Sequence, residues 1–178
     1  MDLDIASSLV ESLSSSKRDA PKFDDIYSAF VVAASGYDGF SFAINTYSNL
    51  ADKLNEHNNP SLDSELGLTL CYRPYYWVYH GGSKRFKGIN RFLHTLAAED
   101  QPPPRELWRS VATAISASGL DQILAPKPSN VTIKPLVGMT FLDPNKRERE
   151  DMFNVSSMVN DSEVHADFVL AIRSIVDS

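Results

Sequence analysis

The stretch Tyr79-His80-Gly81-Gly82-Ser83-Lys84-Arg85 combines residue types that hold an anion. Two glycines let a ligand approach the backbone, and a serine hydroxyl and two cations stand beside them. A helix predicted to start at Ser83 would aim its first, unpaired N–H groups at the same place. The spacing is not the GxxxxGK[ST] of a nucleotide-hydrolysing loop. The same residues also read as a Gly-Gly turn leading into a Ser-capped helix, and the sequence leaves both readings open.

The surroundings of this stretch are unusual for the chain. The protein carries 17 Lys or Arg against 23 Asp or Glu, a formal net charge of -6. From Leu66 to Ala98 there is no carboxylate, while Arg73, Lys84, Arg85, Lys87 and Arg91 all fall inside that window. Such asymmetry points to a surface that meets an anion. Tyr72, Tyr75, Tyr76, Trp77 and Tyr79 crowd just upstream. They are more aromatics than one face of a strand buries. Tyr75, Tyr76, Trp77 and Tyr79 are therefore candidates for base stacking or for an interface, with core packing as the alternative.

Other chemistry is poorly supported. Cys71 and His80 are the only neighbouring thiol and imidazole, but Leu68-Thr69-Leu70-Cys71-Tyr72 reads as core. His57, His80, His94 and His165 have no metal-ligand spacing, and there is no second cysteine. Asp24-Asp25 and Glu99-Asp100 fall at predicted element ends, where capping and loop roles explain them. No catalytic, cofactor or metal residue is assigned. A small enzyme with His80 and Ser83 beside a ligand pocket remains an alternative.

Elements must hold these residues in place. Ile5, Leu9 and Leu13 predict a short amphipathic helix over 2–13, and Ser14 to Pro21 reads as a linker. Residues 1–21 thus form a helical arm, and 22–178 a globular domain. Three-four spacing predicts helices over 23–35 and 40–56. Residues 66–79 read as a strand pair broken at Arg73-Pro74 or as a buried helix. A clear helix runs from Ser83 to about Ala98, with Phe86, Ile89, Leu93 and Leu96 inward. Its basic first turns oppose the helix dipole, so the charges there ask for a reason. Pro102 to Pro104 start another helix, which Gly119 ends. Val131–Ile133 and Leu136–Leu142 are strand candidates. A charged short helix follows Asp143-Pro144, and a last helix spans about 162–176. The expected fold is mainly α: a single-domain helical bundle with a small β element at about 66–79, at 131–142, or at both.

The 178 residues, 43% hydrophobic, are enough for one core. A single cysteine excludes an intrachain disulfide. The acidic start Met1-Asp2-Leu3-Asp4 lacks the basic n-region of a secretory signal, and no apolar run is long enough to cross a membrane. The expected location is the cytoplasm, and the three Asn-x-Ser/Thr matches at Asn130, Asn154 and Asn160 read as chance.

The segment from Tyr76-Trp77-Val78-Tyr79-His80-Gly81-Gly82-Ser83-Lys84-Arg85-Phe86 to Leu93 resembles a stretch of rhabdovirus matrix proteins. There an aromatic strand and a glycine turn lead into a Lys-Arg-Phe helix. This chain lacks the long basic N-terminal tail of well-known members. In size, acidity and helix content it is similar to coat proteins of rod-shaped plant viruses. Either resemblance implies a protein of the virion. Together with the arm, the basic aromatic segment and the missing catalytic group, the expectation is a non-enzymatic, self-associating protein, a homo-oligomer that binds RNA or another anionic partner. An adaptor that binds protein through its aromatics is the alternative.

Overall fold

The computed structural model describes residues 4–15, 25–33, 39–73, 76–77, 79–119, 136–141 and 144–173. Among them lie seven α-helices and four strands: α1 (Ile5–Ser15), β1 (Ile26–Ala33), β2 (Phe40–Thr46), α2 (Tyr47–Glu56), α3 (Glu65–Tyr72), β3 (Tyr79–Gly81), α4 (Lys87–Ala98), α5 (Arg105–Ala117), β4 (Leu136–Phe141), α6 (Lys146–Val159) and α7 (Ser162–Arg173). A short 3-10 turn, Lys84–Phe86, leads into α4. The chain is mainly α, but its helices are arranged about a sheet of order β3-β2-β1-β4. β1 runs antiparallel to β2 and parallel to β4, and β3 adds to the far side of β2.

The two helices expected over 23–35 and 40–56 are corrected by this arrangement. Ile26–Ala33 is a strand, and 40–56 divides into β2 and α2. In β2 all but Ser41 are buried. A strand covered on both faces shows an apolar run with no period of two, and such a run also satisfies three-four spacing. The break falls at Thr46, whose side chain accepts from the Asn49 N–H (3.1 Å) and caps α2. Within 66–79 the helical alternative holds for α3, which starts at the Ser64 cap, and the strand is only the three residues of β3. β4 lies within the strand expected at 136–142. Residues 131–135 fall outside the described set.

Aromatic rings join the sheet to the helices that carry the basic residues. Phe86, 1% exposed, packs against Phe42 at 5.2 Å and edge-on to Phe40 at 5.8 Å. Trp108 of α5 continues the row to Phe141 of β4 at 5.5 Å. Truncating a ring buried this fully costs about 3–5 kcal/mol. A bulge between Ile26 and Ser28 lets both Ile26 and Tyr27 be buried. The Tyr27 hydroxyl donates to the Cys71 carbonyl (2.7 Å) and accepts from Asn45 Nδ2 (2.9 Å), tying α3 to the sheet. Burial raises the Tyr27 phenol well above its ordinary pKa, so it stays a donor.

Two asparagines close strand backbone that no neighbouring strand covers. Asn160 accepts from the Val137 N–H (3.2 Å) and donates to the Val137 carbonyl (2.8 Å), standing in for a neighbour on β4. Asn90 of α4 does the same to Phe40, accepting from its N–H (2.7 Å) and donating to its carbonyl (3.4 Å). Gly39 makes room for this. Its φ is 112°, and a Cβ there would lie 2.4 Å from Asn90 Cγ. Replacing Asn160 by Ala leaves a buried donor and acceptor unpaired. The expected loss is about 2–4 kcal/mol, read as a lower urea midpoint with unchanged slope. A shift below about 0.5 kcal/mol would show that the edge does not depend on this side chain.

Candidate anion-binding groove

Ser83 has extended backbone, and its hydroxyl accepts from the Arg85 N–H (3.1 Å), so it caps the 3-10 turn as expected. Phe86 then anchors the turn, and half-buried Asn90 anchors the first turn of α4, leaving the face of the helix that flanks Asn90 open to solvent. On that face Ser83, Lys84, Lys87, Asn90, Arg91 and His94 line one shallow groove. Lys84, Lys87, Arg91 and His94 are exposed. Their spacing along the helix makes a stripe of about 15 Å. Among the described residues, Lys84, Lys87 and Arg91 form no ion pair.

Three of the five expected anion-binding cations are thus brought together. Arg85 points elsewhere: its guanidinium lies 3.9 Å from Glu11 and 4.0 Å from Asp4, both on or beside α1. Arg73 ends α3, half-buried, and does not line the groove. The Ser83 hydroxyl donates to Glu11 Oε2 (2.5 Å). This contact, with smaller help from the Arg85 amide and the Arg85 and Lys84 charges, outweighs burial and lowers the Glu11 pKa. A carboxylate of the chain itself thus stands at the start of this helix. Glu11 also accounts for basic residues being tolerated at a helix N-terminus. Sequence reasoning missed Glu11 and Asn90. The signal for the first was Asp4 and Glu11 two turns apart on one helix.

The aromatic platform is a correction. Trp77 and Tyr79 are buried, with no ring face open to a base, and Tyr76 packs half-buried against the core. Tyr75 lies outside the described residues. The Tyr79 hydroxyl donates to the Ser12 carbonyl (2.8 Å), so this ring seats α1. Gly81 is bare for the same ring: a Cβ would lie 2.2 Å from the Tyr79 hydroxyl oxygen. Close approach at Gly81 is thus made by the protein itself. These rings went inward because a small sheet between helices has two faces to cover, and aromatics cover them with the largest area.

His80 is exposed on β3 and does not line the groove with Ser83. Cys71 is buried on α3, and burial pushes its thiol up to about 12, which leaves it protonated and unreactive at neutral pH. Among the described residues no three His, Cys, Asp or Glu side chains could share a metal ion, and no helix is long and apolar enough to cross a membrane. Neither protein-family models, curated proteins nor solved structures give a match to this chain.

A second cleft, about 240 Å³, opens between α5 and α6, with Arg105 and Arg109 on one side and Asn154 and Ser157 on the other. Its lining includes Asp151, beside the Trp108 indole. Burial raises the Asp151 pKa, more than Arg147, Arg105 and Trp108 lower it. The folded state therefore disfavours the ionised form, and stability falls as pH rises from the unfolded value through the raised folded one. Asp151→Asn keeps the shape of the side chain without its charge and should raise the thermal midpoint at pH 7, with the gain vanishing below the ordinary carboxylate pKa of about 3.9. An equal gain at both pH values would contradict a charge effect.

Proposed function

We propose that this protein is a non-enzymatic, self-associating interaction protein that holds RNA through its phosphate backbone. The observation that carries this reading is the row of Lys84, Lys87 and Arg91 in one open groove of an otherwise acidic chain. A shallow stripe of cations without a deep pocket suits a linear polyanion better than a small molecule. Point charges on flexible stems contact phosphates without reading sequence. The negative remainder of the surface favours one bound orientation and limits general coating by nucleic acid. Exposed apolar side chains, among them Phe92 on α4 and Val10 on α1, support self-association beside the groove. The resemblance of Tyr76 to Leu93 to rhabdovirus matrix proteins agrees with a virion role of the coat or matrix type.

Binding of a single-stranded RNA of mixed sequence across a salt series tests the reading. Three phosphate contacts predict a slope of log affinity on log salt of about -2. Lys87→Glu with Arg91→Glu should weaken binding at least tenfold while the protein stays folded, because neither side chain is buried. Unchanged RNA binding by the folded double variant would overturn the assignment. Binding to anionic vesicles and not to RNA would replace RNA by a lipid surface as the partner. Light scattering on the same samples reads the oligomer, and a strict monomer at all concentrations would remove self-association.

A further inference from the structure

We propose that the groove continues into a second, occluded part at Ser83 and Arg85, and that α1 is its internal ligand, displaced when RNA binds. The inference rests on the groove reading given above. Ser83 Oγ, the Arg85 amide and the Arg85 guanidinium are the donors a phosphate would use, and they adjoin Lys84 in sequence and space. In the structure they face carboxylates. Glu11 takes the Ser83 hydroxyl and lies against Arg85, and Asp4 approaches the same guanidinium.

The way α1 is held suits exchange. Eleven residues are too few to be a stable helix in isolation, so α1 depends on its seat. The seat has two parts of different strength. Ile5, Leu9 and Leu13 are buried, and Ser12 meets the Tyr79 hydroxyl inside. The acidic side lies outside: Arg85 and Asp4 are more than half exposed, and the ion-pair distances of 3.9 and 4.0 Å are long. Exposed pairs of this kind are weak and are screened by salt. A polyanion laid along Lys84, Lys87 and Arg91 puts its next phosphate where Glu11 stands. Like charge then drives the acidic side of α1 away, and Arg85 joins the bound row. The closed form offers three cations. The open form offers four and the Ser83 hydroxyl. Bound RNA and a seated α1 thereby oppose one another, and anything that holds α1 elsewhere strengthens RNA binding by the same factor.

The test compares two double variants that remove equal charge. Asp4→Asn with Glu11→Gln keeps the side-chain oxygen at position 4 that accepts from the Ser7 N–H (3.0 Å) and caps α1, and keeps an acceptor for Ser83, whereas Glu99→Gln with Asp100→Asn neutralises the far end of α4. The first should bind the single-stranded RNA several-fold tighter than the second, with a salt slope steeper by about 0.7. Adding Arg85→Ala to the first should cancel its advantage, since the gain depends on that cation. In the unaltered protein, RNA should speed amide exchange in residues 5–13. Equal affinities for the two variants, or unchanged exchange on binding, would overturn the internal-ligand proposal while Lys87→Glu with Arg91→Glu still abolishes binding. If that groove variant binds normally, the groove reading fails, and this proposal with it.

Discussion

Every strand edge in a small sheet must find partners, and here that requirement places the site. β2 is longer than β3, so on that side the backbone of Phe40, which pairs with Ala33 of β1 on the other, has no strand beside it. The amide of Asn90 fills the gap, and to reach it α4 must lie along the sheet in one orientation. Buried Phe86 fixes the start of the helix and half-buried Asn90 its first turn. With those two residues held against the sheet, helical geometry puts Lys87, Arg91 and His94 on the solvent flank next to Asn90, in line with Lys84. The basic stripe is thus aimed by an edge-sealing side chain and a ring, neither of which carries charge.

Much of this was legible in the residues. The helix from Ser83 to Ala98 with its inner and outer faces, the cap at Ser83, the helix after Pro104 and the strand at 136–141 all follow local rules. What was illegible depended on tertiary cover. Phe40 to Thr46 could be read as helix because burial on both faces removes the alternation that marks a strand. Tyr79 looked available because nothing in the sequence says that Ser12, 67 residues earlier, would receive its hydroxyl. Arg85 looked like a ligand-binding cation for the same reason: its partners, Asp4 and Glu11, arrive from another element.

The charge pattern has one physical logic. A helix N-terminus prefers a negative neighbour, and the chain from Leu66 to Ala98 contains none. The carboxylate comes from α1, at the cost of tying up one arginine and one serine. The remaining cations stay in solvent, where each keeps its hydration and its reach. This division separates residues turned toward α1 at Ser83 and Arg85 from residues left in solvent at Lys87 and Arg91.

The parallel pairing of β1 with β4 joins residues about a hundred positions apart. During synthesis the hairpin of β1 and β2, the basic helix and α1 all leave the ribosome well before Leu136. Until β4 arrives, one side of β1 presents a row of open amides and carbonyls in a strand rich in valine and phenylalanine, Ala29-Phe30-Val31-Val32. Such an edge is a template for pairing with any other extended chain. The nascent protein therefore passes through a sticky interval whose length is set by translation speed over residues 34–135. Slowing elongation late in that region, or truncating the chain before Leu136, exposes the hazard that the finished sheet conceals.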